Sequence, residues 1–436
     1  MAEGSWLASK SSGAYAGSSY HNVPLFLALH EYAGTLGYDL QTVVQASLIA
    51  MDVLSCLLLY LLPFAYRRTQ SKEWSVADIS ESFIKRSVSK PGISGVMVTV
   101  ESTSKVAALS PSPSQRLPLF LASFYLLNPF TIMCCVAMSL QLPLNLVVIA
   151  TALFASWGSI IFSSIFLSLG IYMSPYLLVL VLPTALLVAG RARWTKLKAA
   201  ISVFVTLAWL VNWLLFSYVY MHGAPERLFD FHNNLAWTFL DRVYGFQFFV
   251  EDLQPNIGVS WYFHTEVFQH FRLLFLFVFQ YHVFVYTIPI SYKFSRYPMT
   301  AFWLLLTIVS ALKPYPSLGD VVLYISLFPI LGHLMNHMSY KTLLATAGIA
   351  CACLFPVMWR MWIWTGTGNA NFYFAICVGV AATNGLFITD VMESVLIRDF
   401  LIKKALTEGI VVATMAPKTE ESPLDVSSTS SLSPLN

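Results

Sequence analysis

Charged residues are scarce in this chain. Only 11% of its 436 residues are Asp, Glu, Lys or Arg, whereas 57% are hydrophobic. An average soluble chain carries about 25% charged residues, so the deficit excludes an ordinary soluble domain. The formal net charge of +3 is too small to indicate a nucleic-acid partner. We therefore expect an integral membrane protein.

The apolar stretches also lack the alternation of a membrane β-strand. A β-barrel needs segments of about ten residues with alternating hydrophobicity, and the run SLIAMDVLSCLLLYLLPFAY at 47–66 does not alternate. Several runs approach the roughly 20 apolar residues that a transmembrane helix requires. The sequence thus predicts an all-α, polytopic membrane protein. Many runs are short or broken by proline, at Asn128-Pro129, Pro289 and Pro356, and broken helices are tolerated in a membrane only where they face protein or a wet cavity.

A cysteine framework and a metal site are not indicated either. All six cysteines fall inside apolar runs, away from the accessible, low-pKa setting that a thiolate nucleophile needs. His333 and His337 have the spacing of zinc ligands on a helix, but no third ligand of fitting spacing follows. We expect no metal and no cofactor.

Composition divides the chain into three regions. Residues 1–39 are mixed, residues 40–400 form a multi-spanning membrane domain, and residues 401–436 form a cytosolic tail that is too polar and Ser-rich to pack, hence disordered. Most Lys and Arg residues lie in loops on one side, which the positive-inside rule makes cytosolic. That side includes a Ser-rich linker at 67–117. The opposite side holds the polar segments 221–261, 312–320 and 365–371.

Five blocks of the sequence resemble one known family in the same order. They are FYLLNPFTIMCCVA (124–137), DLQPNIGVSWYFHTEVFQHF (252–271), FVFQYHVFVYTIPI (277–290), KPYPSLGDVVLY (313–324) and LFPVMWRMWIWTGTGNANFYFAI (354–376). The family is the U subunit of the glycosylphosphatidylinositol (GPI) transamidase. The family begins with a further apolar span and a luminal loop, and residues 1–39 resemble the end of that loop. This resemblance makes residues 1–39 a luminal segment, with the first span missing, and 221–261 a luminal loop.

The resemblance implies a glycosyltransferase-like (GT-C) membrane architecture and an endoplasmic reticulum location. It also implies a non-catalytic subunit that binds the GPI lipid, the proprotein's C-terminal attachment signal, or both. The expected partners are the other transamidase subunits, one of which is cysteine-protease-like and catalytic. The alternative is a GT-C mannosyltransferase of GPI biosynthesis, which needs a luminal acid. The first luminal segment offers only Glu3, Glu31 and Asp39, so we expect no catalytic residue here.

Eight side chains are predicted to contact the GPI lipid or its glycan. Amide groups suit sugar hydroxyls, a lysine suits a phosphate, and aromatic rings suit an apolar wall. The predicted residues are Asn369, Asn371, Lys313, Asp320, Asn256, Trp261, His264 and Asn128. A structural reading stays open for each: a hairpin with a snorkelling lysine, a Gly-Asn turn beside an aromatic belt, or a histidine that bonds its neighbours.

Two further patterns carry predictions. Asp52 and Asp390 lie inside apolar runs, where an ionisable group either binds a ligand or holds helices together. In residues 234–250, Trp237, Leu240 and Tyr244 share one helical face. This spacing predicts an amphipathic helix that rests on the membrane or docks a partner.

Overall fold

Helices provide the secondary structure of the described chain. The computed structural model describes residues 14–17, 19–35, 40–73, 116–190, 195–222 and 237–415, and these ranges contain no β-strand. The prediction of an all-α, multi-helix protein is therefore confirmed.

Sixteen α-helices are defined within those ranges. In chain order they are α1 Pro24–Thr35, α2 Leu40–Glu73, α3 Leu117–Leu126, α4 Pro129–Val136, α5 Gln141–Ser156, α6 Ile160–Met173, α7 Val181–Ala189, α8 Thr195–His222, α9 Phe246–Phe249, α10 Ser260–Glu266, α11 Gln269–Val285, α12 Thr287–Lys293, α13 Pro298–Leu312, α14 Leu318–Leu327, α15 Lys341–Trp359 and α16 Ala370–Met415. Four further segments have 3-10 geometry (Pro175–Leu180, Phe328–Asn336) or π geometry (Leu240–Gly245, Arg360–Trp364).

Six helical stretches of the described chain are long and apolar enough to cross a membrane. They are Gln41–Arg67, Thr195–Met221, Gln269–Lys293, Leu318–Asn336, Lys341–Trp364 and Ala370–Lys404. The bent pair α3 and α4 counts as a seventh if it forms one span. Shorter apolar helices fill Gln141–Ser156, Ile160–Met173, Pro175–Ala189 and Pro298–Leu312. The chain is a multi-pass membrane protein by length and composition.

The helix break predicted at Asn128-Pro129 is confirmed. Helices α3 and α4 meet there at an angle of 44°. Asn128 is the N-cap of α4, and its Oδ1 accepts a hydrogen bond from the Phe130 backbone N–H at 3.0 Å. Pro129 occupies the first helical position, where its missing N–H leaves no intrahelical bond unmade.

The other two prolines have different effects. Helix α11 ends at Val285 and α12 begins at Thr287, so the break predicted at Pro289 is present and lies just before that residue. A proline cannot donate the hydrogen bond to the residue four positions earlier, which here is Val285. Pro356 differs from the prediction, because α15 continues past it to Trp359 and then changes to a π-helical turn over Arg360–Trp364.

Helix α13 is the centre of the bundle. Its residues 298–310 are all buried, as expected for a helix that is apolar on every side. Trp303 is completely buried, and its indole N–H donates to the Tyr324 carbonyl oxygen at 2.8 Å. Its ring also meets that of Phe387 edge-on, with centroids 4.9 Å apart. The indole thus joins α13, α14 and α16.

Buried carboxylates connect helices rather than standing free. Asp52 on α2 accepts a hydrogen bond from the Tyr125 hydroxyl of α3 at 2.8 Å. Asp390 on α16 accepts from the backbone N–H groups of Ser339 and Tyr340, at 2.9 and 3.1 Å, just before α15 begins. Both side chains are less than 10% exposed. The geometry favours the structural reading of these two intramembrane acids.

The N-terminal segment packs against the segment that starts at Trp237. Tyr15 and Tyr20 are buried in a cluster with Tyr172 and Phe239, and the half-buried side chains of Trp237, Leu240 and Tyr244 pack on that cluster. The three share one packed face, as predicted. That face is used inside the chain, so it is not free for the membrane or for a partner.

The predicted region boundaries lie partly outside the described residues. Helix α2 runs past the predicted start of the linker to Glu73, and residues 74–115 are outside. Helix α16 likewise continues through the first part of the predicted tail to Met415, while 416–436 are outside. The described residues up to Arg398 form one compact unit, and those from Asp399 onward belong to a second. In the second, Lys403 pairs with Asp399 at 3.1 Å.

Helices α14 and α5 approach each other closely at Gly319. A Cβ atom at this position would lie 2.4 Å from Gln141 Cγ and 2.9 Å from Gln141 Cβ. The Gly319 carbonyl oxygen also accepts a hydrogen bond from Asn145 Nδ2 at 3.0 Å. Only a residue without a side chain permits this contact.

Gly319→Ala is expected to destabilise the protein. The added methyl group forces α14 away from α5, at a cost of about 1–3 kcal/mol. The measurement is the thermal midpoint of the purified protein in detergent. Gly348→Ala is the control, because no atom lies within 4 Å of a Cβ at that helical position; equal midpoints for the two variants would contradict the close contact.

Candidate functional site

The turn at 313–317 is organised by a buried ion pair. Lys313 Nζ lies 2.6 Å from Asp320 Oδ1, and each residue is 7% exposed. Gln141 Nε2 donates to the same carboxylate oxygen at 2.9 Å. The second oxygen accepts from the backbone N–H and the hydroxyl of Ser317, at 2.7 and 2.9 Å. Four donors therefore converge on Asp320, which explains how a charge is kept in a buried place.

Asp320 also begins helix α14. Ser317 is the N-cap, and with Asp320 it forms a capping box, in which two of the orphan N–H groups at a helix start are satisfied reciprocally. An acidic residue in the first turn also interacts favourably with the positive end of the helix dipole. The structure brings Lys313 and Asp320 together and gives both a structural task. Their contact with a lipid phosphate stays a prediction.

A second turn, 252–258, packs directly on the first. The Tyr315 hydroxyl donates to the Asp252 carbonyl oxygen at 2.8 Å and accepts from the Asp252 N–H at 3.1 Å. Burial raises the pKa of Tyr315 to about 12, so the phenol stays protonated and keeps its donor role. Its ring stacks on Phe246, with centroids 5.4 Å apart.

Asn256 holds the two turns together. Its Nδ2 donates to the Pro314 carbonyl oxygen at 3.2 Å, and its Oδ1 accepts from the Gly258 N–H at 2.8 Å. Its own carbonyl oxygen accepts from the Cys377 thiol at 3.3 Å. Each polar atom of the side chain has a partner within the chain, so a ligand role for Asn256 stays a prediction.

An aromatic cluster lies beside these turns. Trp261 is 3% exposed and packs with rings from α10, α15, α16 and the π-helical turn. Its ring centroid is 6.1 Å from those of both Trp362 and Tyr373. Tyr262 stacks on Phe374 at 4.2 Å. The cluster adjoins the turn at 365–369, because Trp362 and Tyr373 come shortly before and after that turn in the chain.

The turn at 365–369 is exposed and ends in a helix cap. Asn369 is the residue before α16, and its Oδ1 accepts from the N–H groups of Asn371 and Phe372, at 3.1 and 3.3 Å. This is an N-cap arrangement. Both Asn369 and Asn371 are exposed, and Asn371 Oδ1 accepts a hydrogen bond from the Tyr262 hydroxyl. The amide NH₂ group of Asn369 has no partner in the described chain.

His264 is buried one turn after Trp261. Its Nδ1 lies 2.8 Å from the Ser260 carbonyl oxygen, a contact that requires a proton on Nδ1. Burial lowers the pKa of His264, and the nearby Arg272 guanidinium lowers it further, although the hydrogen bond to Ser260 opposes the shift. The ring is therefore neutral, with Nε2 as the acceptor. The imidazole ring meets the Phe279 ring edge-on, with the two ring centroids 5.9 Å apart.

Seven of the eight predicted side chains belong to one continuous network of contacts. Lys313 and Asp320 connect through the Pro314 carbonyl to Asn256, and then through Cys377 and Tyr373 to Trp261. Tyr262 leads on to Asn371 and the Asn369 cap, and His264 follows on the same short helix α10. Asn128 is separate: its side chain caps α4 and bonds none of the other seven in the described residues.

Sequence reasoning missed two residues that hold the network together. Gln141 bonds Asp320 from 179 positions away, and Tyr315 bonds the backbone of Asp252 across 63 positions. No local sequence pattern marks Gln141 as a site residue, whereas Tyr315 lies inside the turn at 313–317. Within the described chain, no group of three His, Cys, Asp or Glu side chains could hold a metal ion.

Comparison with known proteins identifies the family. Residues 1–380 match the family described as GPI transamidase subunit PIG-U. The chain belongs to the PIG-U family. It is 36% identical over 300 residues to the GPI-anchor transamidase component PIGU of Homo sapiens, covering 68% of this chain and 67% of that protein.

Two yeast proteins extend the PIG-U relationship. The GPI transamidase component GAB1 homolog of Schizosaccharomyces pombe is 30% identical over 293 residues, 67% of this chain and 68% of that protein. GAB1 of Saccharomyces cerevisiae is 29% identical over 268 residues, 61% of this chain and 64% of that protein. The resemblance drawn from the five sequence blocks is thereby confirmed.

Lys313→Met is expected to lower stability by about 3–5 kcal/mol, because it leaves the Asp320 carboxylate buried without its counter-charge. Adding Asp320→Asn to it should recover part of the loss. Thermal unfolding in detergent measures both. Lys403→Met is the control, since its ion pair is exposed and worth at most about 1 kcal/mol. An unchanged midpoint for Lys313→Met would show that the lysine is not needed by the fold.

Proposed function

We propose that this chain is a non-catalytic component of the GPI transamidase complex in the endoplasmic reticulum membrane. In this proposal it binds the GPI lipid, the proprotein's attachment signal, or both, and positions them for a partner subunit. The observation that carries the proposal is the exposed Asn-bearing turn next to a partly buried aromatic cluster. Polar groups beside apolar rings fit a molecule with a glycan at one end and acyl chains at the other.

The free atoms of the turn support a glycan contact. The cap occupies Oδ1 of Asn369 but leaves both N–H donors of its amide group. The amide N–H groups of Asn371 likewise have no partner in the described chain, since only its Oδ1 is bonded. Sugar hydroxyls accept such donors. The hydroxyls of Thr365 and Thr367, 2.8 Å apart, add further donor and acceptor capacity.

Exposed apolar side chains support the lipid half of the proposal. Trp364 is 77% exposed and Phe372 is 55% exposed, and they flank the turn on both sides. In the span Lys341–Trp364, which leads into this turn, Leu344 is the one buried residue. Such surfaces are compatible with acyl chains or with an apolar signal peptide.

In this proposal the phosphates of the GPI lipid contact groups other than Lys313. Its ammonium group is held 2.6 Å from Asp320 and is buried. A phosphate would have to displace this carboxylate, and moving the lysine would leave Asp320 without a counter-charge. Lys313 and Asp320 therefore support the site by fixing the turn on which Asn256 rests.

The role in the reaction is positional. Holding two reactants in the correct geometry lowers a barrier by several kcal/mol without any chemical group from the holder. The alternative, mannosyl transfer, needs a luminal acid. Of the three acids in the N-terminal segment, Glu31 accepts a hydrogen bond from Tyr220, and Glu3 and Asp39 lie outside the described residues. We keep that activity as the alternative.

Asn369→Asp separates ligand binding from capping. The carboxylate preserves the cap on α16 and removes both amide donors, so we expect GPI attachment to fall about three- to tenfold, the worth of one hydrogen bond. The measurement is the surface level of a GPI-anchored reporter in cells that depend on this chain. Co-purification of the other subunits verifies assembly.

Asn369→Ala is the matched variant, because it removes the cap and the donors together. If the turn is only structural, Asn369→Asp retains full attachment while Asn369→Ala loses it. If both variants lower attachment and the complex stays assembled, the amide donors contact the ligand. Attachment unchanged in both variants would contradict the proposed site.

A further inference from the structure

A polar side chain faces outward near the middle of a candidate span. His282 lies close to the centre of Gln269–Lys293, the stretch formed by α11 and α12. Its ring is half-buried. The Tyr286 hydroxyl, one helical turn further on, lies 2.7 Å from Nε2. No other hydrogen bond to the ring exists in the described chain.

The pairing with Tyr286 uses one nitrogen of the ring. The Tyr286 hydroxyl donates to Nε2 in one neutral tautomer of the ring and accepts from it in the other. In either tautomer Nδ1 has no hydrogen-bond partner in the described chain. In hydrocarbon, an unmade hydrogen bond is costly, and ionisable residues within spans therefore face protein or a wet cavity.

Helix α11 has two distinct faces. The inner face, Leu276, Gln280 and Val283, is buried in the bundle, and Gln280 donates to the Gln247 and Phe248 carbonyl oxygens at 3.2 and 2.9 Å. The outer face carries His282 in helical register with apolar side chains that are 47–65% exposed, which are Phe271, Leu274, Val278 and Val285. His282 is the polar member of an otherwise apolar strip.

We propose that this outer face of α11 docks a transmembrane helix of another transamidase subunit, which presents a hydrogen-bonding side chain to His282 Nδ1. The inference rests on the proposed membership of the complex. Acyl chains cover an apolar strip equally well, but they offer no hydrogen-bonding group at mid-membrane depth. A neighbouring helix offers a polar side chain, and interhelical bonds of this kind hold membrane helices together.

Site-specific photo-crosslinking tests the contact. A photoreactive amino acid is placed at Val278 or Val285 in the assembled complex, and the cross-linked product is identified by mass spectrometry. We expect one defined subunit to be captured from both positions. The control is Phe277, which is 60% exposed and lies about 100° around α11 from Val278, outside both faces, and it should yield lipid adducts. Lipid adducts alone from Val278 and Val285 would overturn the proposal.

Three substitutions of His282 test the role of Nδ1. His282→Asn keeps a donor at the position of Nδ1, His282→Gln keeps a group at Nε2 for Tyr286, and His282→Phe keeps neither. We expect co-purification of the captured subunit to fall roughly three- to fifteenfold for Gln and Phe and to remain near the original level for Asn. Equal co-purification across all three variants would show that the face is only apolar.

Two readouts keep this inference apart from the proposed function. The thermal midpoint of each isolated variant reveals a folding defect, which would lower co-purification for any reason. The Asn369 variants lower GPI attachment without disturbing assembly, so failure of the glycolipid site leaves the cross-linking result intact. A chain that co-purifies with no transamidase subunit would instead refute both.

Discussion

The constraint that shapes this protein is that backbone N–H groups at interrupted helix starts need acceptors in a membrane that supplies none. Several of the interruptions described here are met by a side chain. Asn128 caps α4, Ser317 with Asp320 caps α14, and Asn369 caps α16. Asp390 accepts hydrogen bonds from the N–H groups just before α15, although it lies on a different helix. At these four helix starts the N–H groups find partners because the chain supplies Asn, Asp and Ser there.

The same constraint explains why candidate ligand residues and structural residues coincide. A short side chain with a carbonyl or carboxylate oxygen is suited both to a helix cap and to a sugar hydroxyl. Asn256 uses its side-chain oxygen and amide within the chain, and Asp320 accepts four hydrogen bonds. Asn369 differs because its oxygen is used and its amide donors remain exposed. This partial use singles out the turn at 365–369, where the fold holds the residue in place and leaves donors for a ligand.

Local sequence patterns predicted much of the fold. The apolar runs predicted the spans, and the Asn128-Pro129 dipeptide predicted the bend. Contacts between residues far apart in the sequence could not be predicted. Nothing near Gln141 marks it as the partner of Asp320. The helical face that carries Trp237 is buried by tyrosines more than 200 positions earlier in the chain. The effect of Pro356 was also misjudged, since a following π-helical turn is not encoded by any single residue. At the candidate site, the sequence indicated segments that the fold brings close together, and it could not say which of their polar atoms remain without partners.

Helices α15 and α16 form an antiparallel pair with a contact near each end. Asp390 of α16 bonds the backbone at the start of α15. At the other end, the ring centroids of Trp362 and Tyr373 lie 6.0 Å apart. About 21 residues of α16 separate Asn369 from Asp390, which is about 31 Å of helix and close to the roughly 30 Å of a bilayer's hydrocarbon core. The distance between the two contacts is therefore comparable with the thickness of the hydrocarbon core. In a thicker bilayer at least one of the two contacts would lie within hydrocarbon.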